Sequence, residues 1–402
     1  MKRVYARVKP ELLVWARESA GLSRDEAAKK VAVKPARLAS WEAGERRPTI
    51  RQLRKLGSAY KRPIAVFYLP KPPRDFQAMR DFRRLPSDER GSESPALRLE
   101  IRRARYRRQV ALELLAQLGE MPPPFSLRGR LSDPAEALAR RARAALGITH
   151  QQQVGWRTPH EALHAWRSAI EQLGVLVFQA RGVAVEEMRG FALAEGLLPA
   201  IVVNIKDHPH ARIFSMVHEL THLMLRRAGL CDLKEEGLTG AEKGPADQRI
   251  EAFCNRVAGA VLMPREVLLR EEPVLRAPPE TWGDDTLVKL AQRYRVSPEA
   301  MLIRLLALGK TTERFYRERR RQLRRAYERR QQAETKTTGG PPPDRVAVST
   351  AGPAFVRLVL ESFYREKITS ADVADYLEVR LKWMPKIEKA VFGRRHDAWA
   401  LA

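Results

Sequence analysis

A mostly apolar run at residues 214–225 contains two histidines and a glutamate, His218, Glu219 and His222. On an α-helix, residues four apart lie on one face, so His218 and His222 can present two imidazole nitrogens to one tetrahedral zinc ion. Apolar residues on nearly every side predict that this helix is buried. Histidine and glutamate are rarely placed in a buried helix unless something binds them. The segment therefore predicts a metal-binding helix within a core.

Glu219 lies beside the face that carries the two histidines. It can reach a water molecule at the metal without being a ligand, which is where zinc-dependent peptide hydrolysis needs its general base. A pattern of His218, Glu219 and His222 this short also occurs by chance. The buried position predicted for the helix favours a catalytic site instead.

The third metal ligand is expected from a second helix at residues 247–262, which ends before Pro264. Glu251 is the best-placed carboxylate on this helix, and Asp247 is a further candidate. Cys254 is chemically suited to zinc, although a cysteine at such a position is more commonly a small buried residue.

Three short apolar segments precede the metal-binding helix, at residues 175–178, 188–193 and 200–204, after a helix at 158–173. Their composition predicts β-strands. In zinc peptidases an edge strand aligns the substrate backbone by strand addition. The strand immediately before the helix, 200–204, is expected to be that edge strand.

The amino-terminal 70 residues predict a bundle of short helices. Ser23 with Glu26, and Thr49 with Gln52, form capping boxes at two helix starts. The helices are expected at residues 10–20, 25–30, 34–41 and 49–60, with a final apolar turn at 63–69. Two short helices joined by a tight turn are typical of a helix-turn-helix, whose second helix enters the major groove of DNA.

This region resembles the XRE-type, repressor-like helix-turn-helix family. The matching residues are Gly21-Leu22-Ser23-Arg24, Ala27-Ala28, Val31-Ala32-Val33 and the run from Leu38 to Pro48. The resemblance implies an exposed recognition face formed by Lys34, Arg37 and Ser40. It also implies phosphate contacts from Arg24 and Arg46, although the family usually has glutamine where Arg24 stands, which leaves the base preference open. Trp41 is expected in the core.

The charge of the chain agrees with a nucleic-acid partner. Lysine and arginine number 74 against 48 aspartate and glutamate, a formal net charge of +26. Such a balance usually indicates a polyanion, most often nucleic acid. Two cysteines are too few for a disulfide framework, and no apolar stretch is long enough for a membrane span. We therefore expect a cytoplasmic protein without a membrane partner.

The remaining segments are mainly helical. Basic or amphipathic helices are expected at residues 94–119, 133–146 and 311–332, a helical hairpin at 287–308, and a three-helix unit at 354–391. The hairpin resembles a helix-turn-helix, but Met301, Ile303 and Leu306 favour packing against the preceding domain. The predicted domains are 1–70 (DNA binding), 71–150 (basic helical linker), 151–270 (metallopeptidase core), 271–335 (helical extension) and 336–402 (linker and three-helix unit).

The central block resembles the ImmA/IrrE family of metallopeptidases. The resemblance is carried by Ile201 to Asn204, Arg212, Phe214, His218 to His222, and Glu251 through Leu262-Met263-Pro264. It implies a zincin-like α+β domain with a small sheet, in a mainly α, multi-domain chain with a carboxy-terminal helical cap. It further implies His218, His222 and Glu251 as ligands of Zn²⁺ and Glu219 as the base. The same ligands also accept Mn²⁺ or Fe²⁺.

The resemblance implies a DNA-binding regulator that cleaves a helix-turn-helix repressor or antitoxin, in a stress, mobile-element or toxin-antitoxin setting. A homodimer is expected, because one recognition helix covers only a few base pairs and paired half-sites need two. The alternative is a non-proteolytic transcription factor or antitoxin whose peptidase-like domain senses a metal or ligand.

Overall fold

The computed structural model describes residues 5–73, 93–122, 124–194, 196–226, 229–231, 246–276, 278, 282–334 and 340–393, with the backbone alone at 229–231, 246–247 and 324–334. Within these residues the chain forms two compact units. The first comprises residues 5–73 and 93–103, and the second continues from residue 104. The five-part division given above stays a prediction.

The first unit is a bundle of short helices with the predicted helix-turn-helix. Its helices are α1 (Pro10–Ser19), α2 (Arg24–Val31), α3 (Pro35–Glu42), α4 (Ile50–Tyr60), a 3₁₀ turn (Ile64–Tyr68) and the start of α5 (Pro95–Leu118). Both predicted capping boxes are present, Ser23 with Glu26 and Thr49 with Gln52. Trp41 is buried in the core of this bundle, as expected.

The second unit contains the rest of α5 and all the remaining α-helices of the described residues. They are α6 (Ala135–Leu146), α7 (His150–Gly155), α8 (Pro159–Gln172), α9 (Pro209–Met224), α10 (Ala246–Leu262), α11 (Arg265–Leu268), α12 (Glu272–Arg276), α13 (Asp284–Tyr294), α14 (Pro298–Ala307), α15 (Glu313–Glu334), α16 (Pro343–Ala351), α17 (Pro353–Tyr364), α18 (Ser370–Tyr376) and α19 (Met384–Phe392). The chain is thus mainly helical, as predicted.

A small mixed sheet lies beside α9. Its strands are β1 (Leu176–Ala180), β2 (Gly190–Leu193), β3 (Ala200–Asn204) and β4 (Gly229–Cys231), in the order β1-β3-β2-β4. β1 is parallel to β3, and β2 is antiparallel to both β3 and β4.

The prediction that the strand before α9 is an edge strand was wrong. β3 pairs with β1 on one side and β2 on the other, so both of its edges are used within the sheet. A continuous apolar run such as β3 fits a strand that is buried on both faces. At the β2 side, the outermost strand among the described residues is instead β4, whose three residues are too few to show a sequence pattern.

The core of the second unit surrounds the sheet and α9. Helix α9 packs against α8, α10, β2 and β3, and α10 also packs against α6. The segment predicted as a basic linker therefore contributes a core helix, because Leu138, Ala139 and Ala142 on α6 join the main cluster. The α13–α14 hairpin joins it as well, through buried residues such as Met301.

The carboxy-terminal region contains one more helix than predicted. Residues near Pro343 have the composition of a linker, but a proline at the first position of a helix favours its start, and α16 begins there. Phe355 of α17 packs edge-to-face on Phe178 of β1 at a ring distance of 6.0 Å. In the described part of the chain no single helix is long and apolar enough to cross a membrane, while the bent pair α16–α17 meets that test when taken together.

Candidate metal centre

Helix α9 buries three polar side chains together. His208 caps its start and Pro209 occupies its first turn. His218 and His222 are fully buried, and Glu219 is 1% exposed. Burial of such groups is costly unless they are paired or bind an ion, so their placement needs a partner.

Helix α10 brings the third predicted ligand to the two histidines. One Glu251 carboxylate oxygen lies 3.2 Å from His218 Nε2, and the other lies 3.1 Å from His222 Nε2. The two Nε2 atoms are 3.1 Å apart. These three side chains form the group in the described residues whose donor atoms are close enough to hold one metal ion.

Asn255 fixes the orientation of the first histidine. Its Oδ1 lies 2.8 Å from His218 Nδ1, which places the ring proton on Nδ1 and leaves the Nε2 lone pair directed toward Glu251. Such outer hydrogen bonds set the tautomer of a ligating histidine. Sequence reasoning gave Asn255 no role, since the contact is tertiary.

The donor set fits a divalent cation. Two imidazole nitrogens and a carboxylate converge, and a cation between them relieves the repulsion between facing lone pairs. Nitrogen and oxygen donors of this kind suit zinc, and also manganese or iron. Burial alone would raise the pKa of Glu251, but hydrogen bonds and charge interactions with the protonated forms of His218 and His222 outweigh it and lower the pKa. The predicted third ligand is therefore an ionised carboxylate.

The other two candidate ligands of α10 differ from Glu251. Cys254 is completely buried beside Ile250, and burial together with the nearby carboxylates raises the pKa of its thiol well above the usual value. Its sulfur is not part of the group of donor atoms that converge in the described residues. The backbone of Asp247 lies in the first turn of α10, and its side chain lies outside the described residues.

The strand β2 leaves room for Glu219. A Cβ atom on Gly190 would lie 2.9 Å from Glu219 Oε1 and 3.2 Å from the carbonyl oxygen of Val202. A residue other than glycine would therefore displace the carboxylate. Gly190 was not singled out by sequence reasoning, because the contact joins a strand to a helix far along the chain.

Two family models match this chain, one in each of the two regions discussed above. The family model of the IrrE N-terminal-like domain, a peptidase family, matches residues 170–306, and that of the helix-turn-helix family matches residues 13–67. The chain combines a helix-turn-helix domain with an ImmA/IrrE-type peptidase domain. The resemblance predicted from the sequence is thereby confirmed. A comparison with curated proteins gave no significant match.

The matched peptidase region contains the whole histidine–glutamate cluster. It runs from the end of α8 to α14, and so includes α9, α10 and all four strands. A metallopeptidase family implies a metal, and a peptidase domain implies a protein substrate. The roles assigned to individual residues stay predictions.

The helix-turn-helix domain implies DNA binding, and its predicted contact residues lie on α3 or near it. Lys34 occupies the N-cap position of α3 without a side-chain capping hydrogen bond and is exposed, as are Arg37 and Arg46. The hydroxyl of Ser40 donates a hydrogen bond to the carbonyl of Arg37 at 2.8 Å. Arg24 Nε lies 3.1 Å from Glu42 Oε2, so the Arg24 side chain already forms an ion pair within the protein.

A buried ion pair supports the same helix. Arg17 Nε on α1 lies 2.7 Å from Glu42 Oε1 on α3, and both side chains are at least nine-tenths buried. Glu42 therefore joins α3 to both α1 and α2, the latter through Arg24. Sequence reasoning missed this pair, because charged residues on short helices are usually exposed.

Proposed function

We propose that this protein is a cytoplasmic, DNA-binding regulator with a zinc-dependent endopeptidase domain. The proposed substrate is a helix-turn-helix repressor or antitoxin, in a stress, mobile-element or toxin-antitoxin setting. The observation that carries the proposal is the buried cluster of His218, His222 and Glu251 beside Glu219, in a chain that also contains a helix-turn-helix domain.

His218, His222 and Glu251 are proposed to hold the zinc ion, with manganese or iron as the alternative metals. Bound zinc supplies a Lewis acid that polarises a peptide carbonyl and lowers the pKa of water. Glu219 accepts the proton of the attacking water and then donates it to the leaving amine. Asn255 holds His218 in the tautomer whose Nε2 is available.

Strand β4 is the proposed site for aligning the substrate. It pairs with β2, where Cys231 lies opposite Gly190. A Cβ atom at Gly190 would lie 2.9 Å from Glu219 Oε1, so this part of the sheet adjoins Glu219. An extended peptide that added to the sheet next to β4 would form main-chain hydrogen bonds independent of its side chains. This assignment replaces β3, whose edges are both paired.

The DNA-binding part of the proposal rests on α3. Lys34, Arg37 and Ser40 are proposed to meet base edges in the major groove, and Arg24 and Arg46 to meet phosphates. For Arg24 this requires a contact made alongside its pairing with Glu42. A homodimer on paired half-sites is proposed, because one such helix covers few base pairs.

The test of proteolysis uses the full-length protein, zinc and the helix-turn-helix protein encoded by the adjacent gene. Mass determination should show two fragments whose masses add to that of the substrate plus water. The Glu219→Gln variant should bind zinc and leave the substrate intact. Cleavage that proceeds equally in this variant would remove Glu219 from its proposed role.

The second candidate function is a metal-sensing transcription factor without proteolysis. The observation that favours it is the full burial of His218 and His222, since a sensor needs a bound metal but no access for a peptide. This function predicts operator affinity that changes with zinc, no cleavage of the neighbouring repressor, and the same affinity in the Glu219→Gln variant.

A further inference from the structure

Much of the positive charge of the chain lies outside the helix-turn-helix domain. Residues 1–70 contain 17 lysines and arginines against 6 aspartates and glutamates, whereas residues 71–402 contain 57 against 42. More than half of the net charge of +26 therefore lies after residue 70. Positive charge that is concentrated on one surface favours a polyanionic partner.

Helix α15, in the second unit, carries a large share of this charge. Its sequence contains nine arginines and four glutamates. An excess of this size in one helix is either neutralised by neighbouring helices or left for a partner outside the chain. The two sides of α15 differ in this respect.

One side of α15 faces the core of the second unit. Tyr316 is buried in the main hydrophobic cluster. Arg319 pairs with Asp284 of α13, and Arg320 Nε lies 3.1 Å from Glu299 Oε1 of α14. The arginines of this side are therefore neutralised by the helices on which α15 packs.

The opposite side of α15 carries Arg314, Arg317 and Arg321, and all three are exposed. Residues spaced by three and four lie on one face of a helix, and these three border the same shallow depression of the surface. Within the described residues, none of them pairs with a carboxylate of another helix, and Arg317 pairs with Glu313 of α15 itself at 2.5 Å. We call these three arginines the α15 basic face.

The spacing of the α15 basic face suits a nucleic-acid duplex. From Arg314 to Arg321 the helix rises about 10 Å, at about 1.5 Å per residue. Duplex DNA carries about one phosphate per 3.4 Å along each strand, so a row of this length faces several phosphates. Guanidinium groups present paired N–H donors that match phosphate oxygens. The helix-turn-helix domain implies DNA binding, which favours DNA over an acidic protein as the partner of this face.

We propose that the α15 basic face binds the phosphate backbone of duplex DNA. This inference rests on the DNA binding proposed above and adds a second contact, in the second unit, that reads no bases. Every DNA sequence has the same phosphates, so this contact should strengthen binding to all DNA alike. It does not depend on the metal cluster or on proteolysis.

The test is fluorescence anisotropy of the full-length protein with a short duplex of mixed sequence, at several salt concentrations. Each phosphate contact adds about 0.9 to the slope with which log affinity falls against log salt concentration. The double variant Arg314→Gln with Arg321→Gln should therefore reduce that slope by about two and weaken binding about tenfold. Arg317→Gln should weaken binding about twofold, because Glu313 already offsets part of its charge.

Two controls separate a contact at this face from a general loss of positive charge. Lys367→Gln with Arg380→Gln removes two exposed positive charges outside α15, and its slope and affinity should equal those of the unchanged protein. Glu318→Gln removes an exposed negative charge beside the α15 basic face, and it should strengthen binding about twofold.

An unchanged slope in Arg314→Gln with Arg321→Gln would overturn the proposal, as would an equal loss of affinity in the control double variant. DNA binding that Arg37→Ala weakens and the α15 substitutions do not would overturn this inference alone. If the unchanged protein binds no duplex DNA, the DNA binding in the proposed function fails as well.

Discussion

The proposed metal centre and the proposed DNA-binding helix, α3, hold their functional side chains in different ways. At the metal centre, His218, His222 and Glu251 lie within 3.2 Å of one another and are positioned by two buried helices. On α3, Arg37 and Lys34 are exposed at the helix surface. The metal site is therefore organised before a ligand binds, whereas the exposed side chains of α3 would be held in place only by bound DNA. Substitutions near the proposed metal site should change the chemistry of that site, whereas substitutions on α3 should change DNA binding alone.

The largest expected effect follows from Gly190→Ala. The added Cβ would lie 2.9 Å from Glu219 Oε1, so the flexible carboxylate must move. A small misplacement of a catalytic group can reduce the rate about a hundredfold. We expect proteolysis to fall by that order while zinc content is unchanged.

The control for this substitution is Gly259→Ala on α10. Among the described residues, a Cβ there meets the Arg304 side chain alone, at an ordinary contact distance of 3.8 Å. Proteolysis should be unchanged in this variant. An equal loss of proteolysis in both variants, or unchanged proteolysis in Gly190→Ala, would show that the space beside Glu219 is not needed for its role.

The next effect concerns Asn255→Ala, which removes the acceptor at 2.8 Å from His218 Nδ1. Loss of such an outer hydrogen bond typically weakens metal binding about 10- to 100-fold. Competition with a zinc chelator measures this change. Asn255→Asp restores an acceptor and should recover most of the affinity; if both variants bind zinc like the unchanged protein, Asn255 does not position the ligand.

On the exposed side of the comparison, Arg37→Ala should weaken operator binding about tenfold and reduce the preference for the operator over other DNA. The free energy of unfolding should change by less than about 0.5 kcal/mol, because the side chain is exposed. Fluorescence anisotropy and denaturant titration measure the two quantities. A large loss of stability with unchanged operator binding would show that Arg37 has a structural role and does not contact DNA.

The smallest effect concerns His210, whose folded-state pKa is lowered to about 4. The unfolded chain has a histidine pKa of about 6.5, so it binds more protons between these values. This contribution to stability is present above pH 6.5 and is lost as the pH falls toward 4. We expect His210→Gln to reduce that pH-dependent loss by about 1 kcal/mol, since the side chain is partly exposed. Denaturant titrations across this pH range that coincide for both proteins would contradict it.

The same contrast explains what could be predicted from sequence. The proposed ligand pair on α9 is local, because residues four apart share a helix face, and the capping boxes are local too. The prediction of β3 as an edge strand failed, because strand neighbours depend on the chain's path and not on composition. Gly190, Asn255 and the Arg17–Glu42 pair matter through contacts between distant segments, which no local pattern indicates.

We propose that His218, His222 and Glu251 hold a metal ion and that Glu219 acts as the base without being a ligand. Zinc content, measured by elemental analysis of the full-length protein, tests this most directly. The unchanged protein and Glu219→Gln should each contain one zinc ion per chain, and Glu251→Gln should contain little. Full zinc content in a folded Glu251→Gln variant, or loss of zinc in Glu219→Gln, would contradict the assignment.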